Sequence, residues 1–288
     1  MPELPEVETV RQTILPDVKG RRIDAVEILT PEVFLSNEFV VTGCLIQNVR
    51  RRGKYLLIDL LDYSDNKVKK PLIMLVHLRM TGRLLLRQQD LEPPKHTHLR
   101  FRLIDPERSD DVIWLDFHDT RRFGRVWIRA ADDAGQPVGA PSGYDALGPE
   151  PFDTAFSAAY LQNRQQQKRN VSLKAFLLDQ SVVAGLGNIY VDESLFAAKL
   201  TPDRTVGSLS ECEFDRITVA VRQVLEQAIL CQGTSLRDYV DGWNRKGRFQ
   251  ECLMVYGRAG QPCRDCGTEI RKIKLAGRTT CWCPACQL

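Results

Sequence analysis

Residues 263–287 read CRDCGTEIRKIKLAGRTTCWCPACQ, and this stretch fixes the character of the C-terminal region. It holds Cys263-x2-Cys266, a spacer of sixteen residues, and Cys283-x2-Cys286. Each close pair can put two thiolates on one ion, and the spacer is long enough for a β-hairpin that brings the pairs together. Four soft sulfur donors in a tetrahedron suit Zn²⁺ in a closed, structural site. One structural Zn²⁺ on Cys263, Cys266, Cys283 and Cys286 is therefore expected. Cys281 is a rival ligand, but a C-x-C pair bites less well than C-x2-C. Cys44, Cys212, Cys231 and Cys252 have no ligand spacing and read as small hydrophobes.

Working outward, the ribbon sits in a basic tail. Residues 237–288 carry ten Lys/Arg against five Asp/Glu, a net of +5. The preceding residues hold 30 against 32, so the chain as a whole is only +3 over 288 residues. A second basic knot is Arg50-Arg51-Arg52-Gly53-Lys54. Charge gathered in this way suits a polyanion along one face, and equally a solvated basic surface. With 43% hydrophobic residues, general disorder is excluded. No apolar run reaches the ~18–20 residues of a membrane span. The acidic opening MPELPEVETV lacks the features of a secretory signal, and nine cysteines without one suggest a reducing compartment.

Three regions follow from pattern. Val7, Val10 and Ile14 recur at helical spacing and predict a short amphipathic helix. The runs Arg21–Leu29, Gly43–Arg51, Tyr55–Leu61, Leu72–Leu78, His98–Ile104, Val112–Phe117 and Arg125–Ala130 predict an all-β sandwich or barrel. Residues 132–152 contain four Pro and four Gly and read as a linker. Helices are then expected over Phe156–Gln166, Ser172–Gln180 and Ile189–Lys199, with a tight turn at Ala184–Asn188. A capping box of Ser210 and Glu213 opens a further helix on Phe214, Ile217, Val221, Leu225 and Ala228, ending at Gly233. The predicted organisation is α+β with two domains. It comprises an N-terminal β-sandwich with a leading helix (1–131), a linker (132–152), a helical domain (153–236), and a loop with a zinc finger (237–288). His96 and His98 should share one strand face with no third ligand beside them, which reads as a satisfied polar pair.

The N-terminus carries candidate chemistry. Removal of Met1 would expose Pro2 as a secondary amine, and an α-amino group with a pKa near ~8 is partly neutral at physiological pH. Such an amine can attack a sugar C1′ and form an iminium ion, an electron sink for elimination. Glu3 and Glu6, three apart, share a helix face beside it, and one could move the proton. Pro and Glu are also favoured in any first helical turn, so these residues alone do not decide.

Six blocks in order do. They are PELPEVETVR at 2–11, Arg51-Arg52-Gly53-Lys54-Tyr55-Leu56, His77-Leu78-Arg79-Met80-Thr81-Gly82, Asp119-Thr120-Arg121-Arg122-Phe123-Gly124, Gly185–Glu193, and the four-cysteine ribbon. Together, and from end to end, the chain resembles bacterial formamidopyrimidine-DNA glycosylase, also called 8-oxoguanine DNA glycosylase/AP lyase. The endonuclease VIII branch, which removes oxidised pyrimidines, usually opens PEGPE. Leu4, with Met80 and Phe123, favours the purine-lesion branch.

The resemblance implies a bifunctional enzyme that excises 8-oxoguanine and formamidopyrimidines and then cleaves the strand by β- and δ-elimination. Pro2 matches the nucleophile, Glu3 the acid/base partner, and Glu6 a supporting carboxylate. Lys54 matches a phosphate-gripping lysine. Met80, Arg121 and Phe123 match the side chains that fill the gap left by an everted nucleotide, with Arg121 facing the orphaned cytosine. Asn188 lies in a helix–two-turns–helix motif, and Arg278 matches a phosphate-binding arginine at the zinc-finger hairpin tip. His98 completes the expected DNA-binding set. Residues 237–250 match a loop that covers the everted base, although Asp241–Gly247 is the least family-typical stretch. The expected partner is duplex DNA with an oxidised purine opposite cytosine, bound by a cytoplasmic monomer with no membrane attachment. A pyrimidine-lesion glycosylase and a catalytically silent DNA-binding paralogue are the alternatives. Retention of Pro2, Glu3 and Lys54 together speaks against the second.

Overall fold

The computed structural model describes residues 1–36, 39–62, 70–236 and 238–288. Arg237, which opens the expected covering loop, lies outside the described residues. Contacts divide the chain into two compact units, 1–145 with 232–247, and 146–231 with 248–288. This differs from the expected partition. The 132–152 stretch is no free linker: its first part pairs back on unit 1, with an Ala131–Pro137 bridge, and its last part packs in unit 2, where Pro149 accepts from the Ala184 amide. The start of the basic tail belongs to unit 1 rather than to the zinc ribbon.

Unit 1 begins with α1 (Leu4–Val18), longer than the periodicity suggested because Glu3 and Glu6 form a capping box ahead of it. Val7, Val10, Ile14 and Val18 are all buried on one stripe, spaced three or four apart as a core-facing helix requires. Then come β1 (Arg22–Ile28), β2 (Phe34–Leu35), β3 (Leu45–Arg52), β4 (Tyr55–Asp62), β5 (Lys70–His77), β6 (Gly82–Arg87), β7 (Thr97–Ile104), β8 (Val112–Asp119) and β9 (Arg125–Ala130). Their order is β2-β9-β5-β4-β3-β1-β7-β8-β6. The link between β3 and β1 is a single register pair, Arg22 with Leu45.

Alternate residues of every long strand enter one core: Leu56, Ile58 and Leu60, then Leu72, Met74 and Val76, Leu99, Phe101 and Leu103, Ile113, Leu115 and Phe117. A sheet whose successive strands all feed one cluster must fold back on itself, so the sandwich expectation holds, with the fold at the thin β3–β1 junction. In β3 the core positions Ile46 and Val49 are three apart because a bulge falls between them.

Two strands went unpredicted. β6 is built on Leu84-Leu85-Leu86, an apolar run with no alternation, and β2 is only two residues long.

Residues 238–247 run along α1. The Gly242 amide donates to Thr13 Oγ1 at 3.1 Å, its carbonyl accepts from Leu86 N at 2.8 Å, and the Trp243 indole donates to Asp17 at 3.2 Å. A Cβ on Gly242 would stand 2.4 Å from an Ile14 methyl, so only glycine allows this approach.

Unit 2 contains α2 (Ala158–Gln167), α3 (Leu173–Leu178), α4 (Asn188–Ala197) and α5 (Glu211–Leu230), followed by a hairpin of β10 (Arg271–Leu275) and β11 (Arg278–Trp282). The Ser210–Glu213 capping box is present at the start of α5, and Phe214, Ile217, Val221, Leu225 and Ala228 form its buried stripe. Between α3 and α4 the chain makes two turns organised by Gln180. Its Oε1 accepts from Gly185 N at 3.0 Å while Nε2 donates to Leu186 O at 2.8 Å. Gly185 has φ +93°, a left-handed geometry that favours glycine. Among the described residues, no helix is long and apolar enough to cross a membrane.

Candidate functional site

The first cluster of chemistry lies in unit 1, at the start of α1. Pro2 and Glu3 are buried, whereas Met1 is 49% exposed. Glu6 is a clamp. One carboxylate oxygen accepts from Glu3 N at 2.8 Å, the other from Thr234 N at 2.8 Å, and its carbonyl accepts from the Tyr239 hydroxyl at 3.3 Å. Burial, then the Glu6 carboxylate, pushes the Tyr239 phenol up, so it stays a neutral donor. Gly233, at φ +78°, leaves room for this: a Cβ there would stand 2.9 Å from Glu6 Oε1. Glu6 thus has both oxygens on backbone amides and holds Glu3 by its main chain.

Lys54 sits in the two-residue turn between β3 and β4, where Arg52 pairs with Tyr55 and Gly53 takes φ +55°. Glu8 ties this hairpin to α1 by accepting from Arg51 Nε at 3.1 Å and Arg11 Nη2 at 2.6 Å. Burial pushes the Glu8 carboxyl up, but Arg11 and Arg51 outweigh it and hold it below the usual carboxylate range.

Two turns carry the expected gap-filling side chains. Met80 is 42% exposed and Phe123 53% exposed, while Arg121 Nη1 lies 3.5 Å from Met80 Sδ. The structure therefore brings Met80 and Arg121 together. Large apolar side chains left at turn tips mark a contact surface rather than a core. The turns are fixed by Asp119, which is fully buried. One of its oxygens accepts from the Thr81 hydroxyl and from Arg121 N at 3.1 Å; the other accepts from Gly124 N at 2.7 Å. His77 does the same for the other turn. Its Nδ1 accepts from Arg79 N at 3.0 Å, and burial, then Arg79 and Lys54, brings the imidazole down to about 3. It is a neutral acceptor that stabilises the left-handed Arg79, φ +53°, next to Met80.

His98 does not face outward. It is the extra residue of a bulge, since Thr97 pairs with His118 and Leu99 with Phe117. The bulge turns its ring inward to Thr30 Oγ1 at 2.8 Å and Asp119 O at 2.7 Å, at 2% exposure. Nor do His96 and His98 share a strand face. His96 has φ +72° in the turn before β7, and its ring stands edge-on to His118 at 6.0 Å.

The second cluster lies in unit 2. The four expected thiols have sulfur atoms all within 4.8 Å of one another, with Cys266–Cys283 at 3.5 Å and Cys263–Cys286 at 3.9 Å. A tetrahedron with ~2.3 Å Zn–S bonds has edges of ~3.8 Å, so the donors fit zinc. Cys281 stands outside the set and packs with Phe196, Val255 and Ile270. Gln287 braces the site, accepting from Cys283 N at 2.9 Å and donating to Leu200 O at 2.8 Å.

The hairpin is bolted to α4. Lys174 and Asp192, both fully buried, pair at 2.6 Å; Lys174 also donates to Thr279 O at 3.2 Å, and Asp192 accepts from Cys281 N at 3.0 Å. Asn188 Nδ2 donates to the same Thr279 carbonyl at 3.0 Å. Glu193 accepts from three consecutive amides, Met254, Val255 and Tyr256, at 2.8–3.0 Å. Arg278, exposed, opens β11 beside the hairpin turn. Its neighbour Thr279 is thereby fixed to Asn188. Sequence reasoning missed Glu8, Thr81, Asp119, Gln180, Lys174, Asp192 and Glu193. Only Asp119 carried a signal, an Asp leading into a Gly-ended turn.

Family models match in chain order. Residues 1–126 match the formamidopyrimidine-DNA glycosylase N-terminal domain, 147–240 its H2TH domain, and 260–288 a zinc finger found in FPG and IleRS. The chain is 45% identical over 300 residues to a formamidopyrimidine-DNA glycosylase of Heliobacterium modesticaldum, and 42% over 294 residues to one of Desulfitobacterium hafniense, with all of each chain covered. Among solved structures, a complex of Lactococcus lactis Fpg with abasic-site DNA superposes with TM-score 0.84 at 34% identity, covering 99% of both chains. A complex of the same protein with N7-benzyl-Fapy-dG DNA gives the same values. The MutM (Fpg) protein of Thermus thermophilus gives 0.83 at 38%, covering 99% of this chain and 98% of that one. With three domain models in order and relatives matched over their full length, this zinc-binding chain belongs to the formamidopyrimidine-DNA glycosylase family.

Proposed function

We propose that the protein excises oxidised purines, 8-oxoguanine and formamidopyrimidines, from duplex DNA and then cleaves the abasic strand. The observation that carries this reading is the clamped start of α1. Glu6 spends both oxygens on the amides of Glu3 and Thr234, so Glu3 and the residue before it are fixed before any substrate arrives.

Removal of Met1 frees the Pro2 amine. Its nitrogen lone pair attacks C1′ of the deoxyribose, and the glycosidic bond breaks as the damaged base leaves with a proton. Glu3 gives a proton to the ring oxygen as the sugar opens, and the nitrogen lone pair completes an iminium ion. Loss of a C2′ proton then expels the 3′ phosphate, and a second elimination expels the 5′ phosphate. Hydrolysis of the iminium returns the free amine.

Lys54 holds phosphate beside the lesion. Met80 and Phe123 stack into the gap, offsetting part of the ~few kcal/mol that unstacking costs, and Arg121 donates to the unpaired cytosine. Asn188 and Arg278 take the flanking phosphates. The Fpg complexes with N7-benzyl-Fapy-dG and abasic-site DNA support the substrate class. His98 serves as a positioning residue behind Asp119 rather than as a DNA contact. Zinc fixes the hairpin and takes no part in the reaction. The enzyme acts as a monomer on the chromosome, in the bacterial cytoplasm.

Borohydride trapping tests the mechanism. Met1-processed protein and 8-oxoguanine·cytosine duplex should give a covalent protein–DNA adduct. Pro2→Gly should keep part of it, and protein retaining Met1 should give none. No adduct from processed protein overturns the reading. Equal or faster excision from a thymine-glycol·adenine duplex would move the enzyme to the pyrimidine branch.

A further inference from the structure

Residues 232–247 belong to unit 1 and form a loop closed on itself. At its base the Gly247 amide donates to Ser235 Oγ at 2.9 Å, and a Cβ on Gly247 would overlap the Gly233 and Gln232 carbonyls. Ser235 Oγ in turn donates to Tyr239 O at 2.8 Å. The tip is built as firmly. Asp241, 1% exposed, accepts from Trp243 N at 2.9 Å, Arg245 N at 2.8 Å and Arg245 Nε at 2.9 Å, and its own amide donates to Arg245 O at 2.9 Å. Meeting ends and side chains spent on the loop's own backbone make an Ω-loop, a compact unit.

That unit is tied to α1 at both its start and its tip. Near the start, the Thr234 amide and the Tyr239 hydroxyl donate to Glu6. At the tip, Gly242 bonds to Thr13 and to Leu86 of β6, and the Trp243 indole donates to Asp17. Tyr239 and Trp243 both pack on the unit 1 core. Glu6, Thr13 and Asp17 fall on one stripe of α1, so the loop lies along the helix for about three turns, roughly 16 Å.

We propose that Gly242 and Trp243 are positioning residues, a latch at the far end of α1 that keeps Thr234 and Tyr239 on Glu6 and so holds Glu3 and the residue before it. What is positioned, the Pro2 amine and its acid, rests on the excision reading above; the latch rests on the contacts alone. The physical reason is entropy. Two donors at the start of the loop hold Glu6 only while the segment is ordered, and ordering a free segment opposes each bond it makes. Docking the tip removes that freedom before substrate arrives, which is where preorganisation gains rate.

The test uses the zinc-loaded full chain with Met1 removed. Gly242→Ala drives a methyl group against Ile14 and should lift the tip. Trp243→Ala removes ring and bond together. Trp243→Phe loses only the indole donor, as Asp17→Ala loses only its acceptor. Circular dichroism verifies folding, and the milder Trp243→Phe carries the test if a harsher variant fails to fold. The first readout needs no DNA. Exchange of the Thr234 amide, followed by NMR, should quicken about tenfold or more in Trp243→Ala, with Leu75 and Val76 of β5 unchanged. The second is single-turnover borohydride trapping on an 8-oxoguanine·cytosine duplex. Its rate should fall about 10–100-fold in Trp243→Ala, the cost of a misplaced reacting group, while the duplex concentration for half-saturation stays as in wild type. Asp17→Ala and Trp243→Phe remove the same bond, so the double variant should be no slower than the slower single one. Unchanged Thr234 exchange overturns the proposal. So does quicker exchange with trapping at the wild-type rate, or a loss seen only in half-saturation. A wild type that gives no adduct overturns the excision reading instead, and Thr234 exchange then decides by itself whether the latch holds the clamp.

Discussion

The start of α1 and the zinc hairpin are two solutions to one problem, that of holding a few polar groups still. At α1, placement is done by carboxylates on backbone amides, Glu6 on Glu3 and Thr234, with Asp119 doing likewise for the turns of Met80 and Arg121. At the hairpin, four thiolates and a metal do the first part, and the buried Lys174–Asp192 pair does the rest. The surfaces presented also differ. Unit 1 exposes Met80 and Phe123, which suit stacked bases, and unit 2 exposes Arg278 next to polar backbone, which suits phosphate. Rigidity from protein alone serves where apolar wedges must be aimed. A metal serves where the ribbon's core is too small to hold shape itself.

The contrast can be broken most forcefully by taking the metal away. Structural zinc supplies on the order of 10 kcal/mol in zinc-finger peptides, so chelation or Cys283→Ser should unfold residues 260–288 and abolish tight DNA binding. Near-ultraviolet dichroism of the Trp127 and Trp243 environments in unit 1 should persist; joint loss would show that the two regions are not independent. Next comes Glu3→Gln. It should lower excision by about 10²–10⁴-fold, with DNA binding retained in a gel-shift assay. A loss confined to binding would assign Glu3 to the wrong side of the comparison.

A smaller effect is expected at Asp119→Ala. It orphans the Thr81 hydroxyl and two amides, and should cost unit 1 on the order of 3 kcal/mol in thermal unfolding. The sharper measure is the rate of base extrusion, read with 2-aminopurine beside the lesion, which should fall in step.

Acid provides the next discrimination. The His77 imidazole titrates near 3 folded against an ordinary 6.5, because it is buried and faces Arg79 and Lys54. The unfolded chain therefore binds this proton first. Its contribution to stability is complete above about 6.5 and is lost progressively as pH falls toward 3. Melting curves of wild type and His77→Gln should converge over that window; a constant gap would place the histidine outside the acid response. The least effect belongs to Arg278→Ala. It should weaken all duplexes about equally and lower the salt slope by ~1. A changed opposite-base preference with the slope intact would move Arg278 from phosphate to base recognition.

Much of this was legible in the residues, and what was not shares one cause. Cysteine spacing, the Ser210–Glu213 box and strand alternation are local signals, and the structure bears them out. β6 was hidden because Leu84-Leu85-Leu86 has no period, both faces being covered. The strand face of His98, though not its satisfied polar character, was misread because a bulge inverts its facing, and a bulge depends on the partner strand as much as on its own. The carboxylates that hold the sites were invisible as such. Asp192 and Glu193 look like ordinary surface acids of α4 until the amides that they serve, Cys281 of the hairpin for Asp192 and Met254 to Tyr256 for Glu193, are folded against them. The first part of the expected linker was likewise taken up by pairing that no composition reveals.

The Glu6–Thr234 bond joins residues 228 positions apart. A ribosome delivers Pro2 and Glu3 first and Thr234 near the end. Through most of its synthesis the nascent chain carries the proposed nucleophile and its proposed acid without the amide that completes the clamp on Glu6. On that proposal the reactive amine is made early and becomes competent late, so a truncated product that stops at Cys231 would hold the chemistry in sequence and lack it in space.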